Sequence, residues 1–220
     1  MKIHAIDYIY VIMRCNMDII KLKGLSYASN TYVVISGNDA AVVDPSAEIK
    51  DILNALRGAK LRYILLTHCH FDHILKLDAL RAETRAEVCI HKADADMMKD
   101  PALNGSEFFG LEFASLGADR LLEDGEIITL GKDRIEVFST PGHTPGSVCY
   151  DCGDTLLCGD TVFSSGYGRY DLPGGDGNIL FASLKKLADR SDNPLIHPGH
   201  GASCSLSEAD IIRAIRYRNF

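Results

Sequence analysis

The chain has 220 residues, of which 46% are hydrophobic and 24% are charged, a composition that excludes disorder, coiled coil and collagen. Its 23 basic and 30 acidic residues give a net charge of −7, which argues against nucleic acid or an anionic membrane as a partner. No apolar run approaches the roughly 20 residues that span a bilayer. The 7 cysteines are odd in number and scattered, as expected for reduced thiols in a cytoplasmic protein.

The first part of the chain is predicted to form strands. An apolar segment at 5–13 is interrupted by Asp7, and it is predicted to be a strand rather than a signal peptide. The Gly-Asn-Asp sequence at 37–39 is typical of a hairpin, and it separates β-rich segments at 31–35 and 40–43. These patterns indicate an antiparallel beginning to a sheet.

Helices and strands alternate in the rest of the chain. Ser46 is predicted to cap a helix over 47–57. Periodicity predicts further helices at 73–84, 92–99, 179–189 and 207–217. It predicts further strands at 63–66, 88–90, 127–130, 135–138, 147–150, 155–158 and 195–196. Phe108 and Phe109 are expected either in the core or in a lid. One domain over 1–220, with two sheets and outer helices, is favoured over a parallel doubly wound sheet.

Three of the 8 histidines fall in one short stretch, His-Cys-His-Phe-Asp-His at 68–73. Residues i and i+2 of an extended segment point the same way, so His68 and His70 can bind one metal ion. A turn can then direct Asp72 and His73 toward a second ion. Because burying this much polarity without a partner is costly, a metal site is favoured over a structural role.

The same pattern recurs three times further along the chain. Each time an apolar strand ends and a potential ligand follows within a Gly- or Pro-containing turn. Glycine lets the backbone pass close to a crowded ion, proline fixes the turn, and strand ends are rigid. The residues in question are His143, Asp160 and His200.

The motifs His-x-His-x-Asp-His, Pro-Gly-His-Thr-Pro-Gly, Gly-Asp-Thr and Pro-Gly-His-Gly follow one another in this order. In that order they resemble the metallo-β-lactamase superfamily over nearly the whole chain. Segments at 30–32, 43–45 and 168–175 resemble the glyoxalase II-like hydrolases within it. The resemblance implies an α/β fold, the αββα four-layer sandwich, with the metal site at one edge of the two sheets.

The resemblance also implies two divalent metal ions. Zinc suits the nitrogen and oxygen donors, and iron or manganese can also bind them. The resemblance implies that the first ion is bound by His68, His70 and His143. It implies that the second ion is bound by Asp72, His73 and His200, and that Asp160 bridges the two ions.

Other residues near these motifs have less specific roles. Asp44 is expected to orient a ligating histidine, and a turn role before Pro45 is the alternative. The three remaining histidines are expected to be structural: His4, His91 and His197.

The predicted reaction is hydrolysis of a small thioester, such as a hydroxyacyl-glutathione, or of another small ester or lactone. Water activated by two metal ions would attack the carbonyl, and Asp72 and Asp160 are the candidate catalytic carboxylates. Arg169 is predicted to bind an anionic substrate group, and a salt bridge with Asp171 or Asp176 is the alternative. Two other classes remain open: an oxidoreductase similar to the persulfide dioxygenases, with a single iron, and a noncatalytic scaffold.

Overall fold

Two six-stranded sheets form the centre of the computed structural model, which describes residues 17–24 and 27–218. Within each sheet every strand lies beside its neighbour in the sequence. The strands of the first sheet are β1 (Asp18–Leu22), β2 (Thr31–Ser36), β3 (Asp39–Val43), β4 (Lys60–Leu65), β5 (Glu87–His91) and β6 (Arg120–Leu122). Those of the second are β7 (Ile127–Leu130), β8 (Asp133–Ser139), β9 (Val148–Asp151), β10 (Thr155–Gly159), β11 (Leu195–Pro198) and β12 (Cys204–Ser205).

Both sheets are mixed. Strands β1 to β3 are antiparallel, and β3 to β6 are parallel. In the second sheet β7 to β10 are antiparallel, β11 is parallel to β10, and β12 is antiparallel to β11. Strands β3 and β4 therefore share one direction, and β8, β10 and β11 share another.

Four helices cover the outer faces of the sheets. They are α1 (Ile49–Ala55), α2 (Leu77–Thr84), α3 (Gly177–Ala188) and α4 (Asp210–Arg218). Short 3-10 turns lie at Phe71–His73, Met97–Lys99, Glu107–Phe109 and Leu206–Glu208. In the part of the chain that the structure describes, no helix combines the length and the apolar character needed to cross a bilayer.

Alternation of side chains along the strands explains the layers. In β2, Val34 packs with Tyr150 of the second sheet, between the two sheets. The preceding residue, Val33, packs with Ile52 of α1 on the outer face. In the second sheet, Cys149 faces outward, against the apolar side chains of α3 and α4. The predicted αββα sandwich is therefore confirmed.

Most of the predicted strands and helices are confirmed within a few residues. The hairpin at 37–39 joins β2 to β3. The helix predicted at 73–84 begins only at Leu77, because residues 71–73 form a 3-10 turn. The helix predicted at 92–99 is reduced to the 3-10 turn at 97–99. The predicted strand at 5–13 lies outside the described residues, as does His4.

The predicted cap at Ser46 was wrong. Helix α1 begins at Ile49 and is preceded by Glu48, which makes no capping hydrogen bond with its side chain. The hydroxyl of Ser46 instead donates to the carbonyl oxygen of Asp72 at 2.6 Å. This long-range contact ties the turn after β3 to the turn that carries two of the candidate metal ligands.

Candidate metal centre

The candidate ligands lie where strands end. His68 and His70 follow β4 in an extended segment, and the 3-10 turn then carries Asp72 and His73. The amide of His73 donates to the carbonyl of His70 at 3.0 Å, which closes that turn. The other candidates follow β8, β10 and β11, whose carboxyl ends reach the same edge of the molecule: His143, Asp160 and His200.

Three buried histidines form the first group. Nε2 of His143 lies 3.2 Å from Nε2 of His68 and 2.9 Å from Nδ1 of His70. Nitrogen ligands of a tetrahedral zinc ion lie about 3.3 Å apart, since each is about 2.0 Å from the metal. The spacing of these three nitrogens therefore suits a single ion.

The second group contains one carboxylate and two histidines. Oδ2 of Asp72 lies 3.0 Å from Nε2 of His200 and 3.7 Å from Nε2 of His73. These atoms are close enough to share an ion. His200 is the most exposed of the candidate ligands, with 38% of its side chain accessible.

The carboxylate of Asp160 lies between the two groups. Its Oδ1 is 3.3 Å from Nε2 of His73. Its Oδ2 is 3.8 Å from Nε2 of His143 and 3.7 Å from Nε2 of His200. Asp160 therefore faces histidines of both groups, which is the position that a bridging ligand requires.

Polar atoms without hydrogen bonds show that this donor set fits metal ions. Nε2 of His73 and Oδ1 of Asp160 are buried, and among the described residues neither has a hydrogen-bond partner. Such orphaned atoms are rare in folded proteins. A side chain at Gly199 would overlap both Asp160 and His73, so glycine is needed for this close approach. The nitrogen and oxygen donors suit Zn, Fe or Mn.

Hydrogen bonds on the far side of the rings orient the histidines. Nδ1 of His143 donates to the carbonyl oxygen of Arg169 at 2.6 Å, and Nδ1 of His73 donates to Oδ2 of Asp44 at 2.9 Å. In each case the acceptor fixes the proton on Nδ1 and leaves the Nε2 lone pair available to a metal.

Asp44 holds its position through further contacts. It is 1% exposed, and its carboxylate accepts hydrogen bonds from the amide and the hydroxyl of Thr67 at 2.8 and 2.7 Å. Its φ of 52° lies in the left-handed region, which Asp tolerates better than most residues. This geometry is the one that the predicted orienting role requires.

Charge is distributed unevenly across the centre. Burial lowers the pKa of His68, and it lowers the pKa of His70 to about 3. Burial by itself would also lower the pKa of His73, but the carboxylates of Asp160, Asp72 and Asp44 together raise it. His68 and His70 are thus neutral and able to bind a metal ion, while the carboxylates around His73 favour its protonated form.

A buried aspartate that the sequence did not single out connects two histidine motifs. Asp94 is 0% exposed. Its carboxylate accepts from the amide of Cys69 at 2.9 Å, the hydroxyl of Thr144 at 2.7 Å and the amide of Gly146 at 2.6 Å. It therefore ties the segment between His68 and His70 to the turn around His143. No local pattern reveals this role, because it depends on three separate loops meeting.

We expect Asp94→Asn to weaken binding of the first metal ion about 10- to 100-fold, as losses of such supporting contacts do. The amide group presents a donor where the carboxylate accepted, so the His143 turn loses a tether at a cost of about 2–3 kcal/mol in stability. Metal titration and thermal unfolding measure the two effects. The control is Asp96→Asn, whose side chain is 97% exposed. Equal weakening of both metal-binding steps would contradict a specific effect on the first group.

Arg169 contributes to the centre through its carbonyl oxygen, which contacts His143. Its side chain forms the salt bridge with Asp171 that was the alternative to anion binding. Nε and Nη2 lie 2.7 and 2.8 Å from the two carboxylate oxygens of Asp171. The guanidinium also lies over the ring of Phe108, 5.4 Å from its centroid. Asp176 instead caps α3 by accepting from the amides of Asn178 and Ile179. Anion binding by Arg169 is therefore untested, and the ion pair with Asp171 is the contact that its side chain makes.

The Arg169 side chain can be tested separately from its carbonyl. We expect Arg169→Ala to leave the metal content unchanged and to change KM by a similar small factor for neutral and anionic substrates, because an exposed ion pair contributes little. Steady-state kinetics on a matched pair of esters measures this. A KM that rises about 10- to 150-fold for the anionic ester alone would indicate a lost charge-assisted hydrogen bond to substrate.

The two remaining described histidines lie outside the centre. Nδ1 of His91 accepts from the amide of Ala93 at 3.3 Å, and Nδ1 of His197 lies 2.7 Å from the hydroxyl of Ser203. Both contacts are consistent with the structural roles expected for these side chains.

Comparison with known proteins defines the class to which this fold and centre belong. The family model of the metallo-β-lactamase superfamily matches residues 26–200. The chain therefore belongs to the metallo-β-lactamase superfamily, as its motifs predicted.

Individual proteins show how similar this chain is to known members of the superfamily. The chain is 37% identical over 190 residues to the probable metallo-hydrolase YqgX of Bacillus subtilis, covering 83% of this chain and 90% of that protein. Its fold is similar to the B3 metallo-β-lactamase BLEG-1, with a TM-score of 0.82, 32% identity and coverage of 89% and 99%. It is also similar to TTHA1623, solved in a di-iron-bound form, with a TM-score of 0.74, 33% identity and coverage of 87% and 96%. The chain thus matches these three proteins over nearly their whole length.

Proposed function

We propose that the protein hydrolyses small thioesters or esters with two metal ions, in the manner of the glyoxalase II-like hydrolases. The observation that carries this proposal is the position of Asp160, whose carboxylate faces His73 on one side and His143 and His200 on the other. A carboxylate can bridge two ions because each oxygen can bind one of them. A single iron held by two histidines and one carboxylate would leave the other donors of the centre unused, so the full donor set favours two ions.

The residues of the centre have different roles in the proposed reaction. Two metal ions bound here would lower the pKa of a shared water toward neutrality and stabilise negative charge on a carbonyl oxygen. Asp72 and His200 line the open side of the centre, so they meet the substrate first. The carboxylate of Asp72 would accept the proton that the attacking water loses and would return this proton to the leaving sulfur or oxygen.

Zinc is the metal we propose, because imidazole and carboxylate donors at these spacings suit it. The di-iron form of TTHA1623 makes iron the alternative to be measured. We also propose a cytoplasmic location, since Cys69, Cys89, Cys149 and Cys158 are buried thiols that a reducing compartment preserves.

The proposal is tested by two assays on one metal-loaded sample. The first follows hydrolysis of a thioester panel with a thiol-reactive dye, and the second follows oxygen uptake with a persulfide. We expect thioester hydrolysis and no persulfide-dependent oxygen uptake. Oxygen uptake without hydrolysis would replace the hydrolase with an enzyme similar to the persulfide dioxygenases. A metal-loaded sample inactive in both assays would favour the noncatalytic scaffold.

A further inference from the structure

A cavity of about 200 Å³ opens over the candidate metal centre. His70, Asp72 and Asp160 line it on the side of the centre. Its remaining lining is largely apolar and includes four large side chains: Tyr27, Phe71, Phe109 and Leu172. We call this set of three aromatic rings and one leucine the aromatic wall. Phe71 lies between His70 and Asp72 in the sequence, so the wall begins directly beside the reacting groups.

The rings of the aromatic wall are in contact. The centroids of Tyr27 and Phe71 are 5.9 Å apart, and those of Phe71 and Phe109 are 5.4 Å apart. Phe109 is 56% exposed and Tyr27 is 57% exposed. Contiguous apolar surface left open to water commonly marks a binding site. Of the two phenylalanines expected in the core or in a lid, Phe109 therefore belongs to the cavity.

Among the described residues that line the cavity, no lysine or arginine side chain is free to pair with an acidic substrate. Among the described residues that line it, Arg169 is the sole lysine or arginine, and Asp171 holds its guanidinium through two hydrogen bonds. The carboxylates of Asp72 and Asp160 face the histidines. A substrate group with its own carboxylates, such as glutathione, would leave negative charge unpaired against the aromatic wall.

We infer that the aromatic wall binds an uncharged apolar group joined directly to the scissile ester or thioester. This inference rests on the proposed function and names its substrate class. A cavity of about 150 Å³ accommodates benzene, so the group is of the size of a benzoyl or hexanoyl chain. The group is either the acyl part or the leaving part, which share this chemistry and which separate substrate series distinguish.

Two series of substrates test the inference. In one, the acyl chain grows from acetyl to octanoyl on a fixed neutral thiol; in the other, the thiol grows on a fixed acetyl group. We expect kcat/KM to rise about fourfold per methylene in one series, the factor equivalent to about 0.8 kcal/mol, until the cavity is full. Replacing the chain end with a carboxylate should lower kcat/KM at least about tenfold. No dependence on chain length in either series would overturn the inference.

A substitution in the aromatic wall tests whether the dependence of kcat/KM on chain length arises there. We expect Phe109→Ala to lower kcat/KM about five- to tenfold for hexanoyl substrates and by a smaller factor for acetyl substrates, because a longer chain buries more apolar surface against the ring. The control is Tyr217→Ala, an 83% exposed aromatic side chain on α4 that does not line the cavity. Equal losses for short and long substrates in Phe109→Ala would contradict a role in chain binding.

Binding of thioether analogues, which have no scissile bond, separates this inference from the proposed function. We expect their affinity to rise with chain length in the wild type and to fall in Phe109→Ala, measured by calorimetry. If thioesters are not hydrolysed but the thioethers follow this pattern, the hydrolase proposal fails and the apolar subsite stands. If thioesters are hydrolysed without any chain-length preference and thioethers show none, the subsite fails and the hydrolase stands.

Discussion

Asp160→Ala is expected to lower kcat/KM for thioesters more than about 100-fold and to release at least one metal ion per chain. Loss of a group that only supports a ligand already weakens metal binding or activity about 10- to 100-fold. Asp160 itself faces histidines of both groups, so its loss removes the one carboxylate that can hold the two ions together. Metal analysis and steady-state kinetics on the same sample measure the two effects.

The control for this variant is Asp189→Asn, since Asp189 is an exposed carboxylate at the end of α3. It should keep the metal content and the activity of the wild type. Full activity and two metal ions in Asp160→Ala would show that the bridge lies elsewhere.

Asp44→Asn is expected to weaken metal binding about 10- to 100-fold although Asp44 is not itself a proposed ligand. An asparagine tolerates the left-handed backbone at this position, so the variant tests the charge rather than the turn. The side-chain oxygen of the asparagine can still accept a hydrogen bond from the amide of Thr67. Its NH₂ group then faces Nδ1 of His73, which donates to a carboxylate oxygen in the wild type. The ring of His73 therefore loses the acceptor that fixes its tautomer.

Asp44→Ala provides the comparison, because it also removes both hydrogen bonds from Thr67 and leaves buried donors without a partner. We expect this variant to lose about 2–4 kcal/mol more in stability than Asp44→Asn. Calorimetric unfolding of the metal-free proteins separates this loss from that of metal binding. Wild-type metal affinity in Asp44→Asn would reduce Asp44 to the turn residue that its place before Pro45 also suggests.

The candidate ligands could be singled out from the sequence because each lies in a short local pattern. His68, His70, Asp72 and His73 fall within six residues, and the others directly follow apolar strands. The strand segments alternate clearly enough to predict two sheets. A strand end also fixes where the next residue lies. The local patterns therefore predicted that side chains distant in the sequence come together at one edge of the sheets.

The contacts that support the ligands could not be predicted in the same way. Asp94 lies in a predicted helix, and its three donors come from segments more than twenty residues away. Ser46 had the pattern of a helix cap, but the carbonyl of Asp72 reaches its hydroxyl. The carbonyl of Arg169 orients His143, and no side-chain pattern encodes a backbone contact. Each of these depends on how loops from both sheets pack together.

The number of metal ions bound per chain tests the central claim most directly. Protein purified in its metal-loaded form, quantified by amino-acid analysis and measured by inductively coupled plasma mass spectrometry, should contain two ions per chain, predominantly zinc. Titration of the metal-free protein should show two binding steps, both weakened in Asp160→Ala. A single tightly bound iron per chain, with no second binding step, would contradict the dinuclear centre.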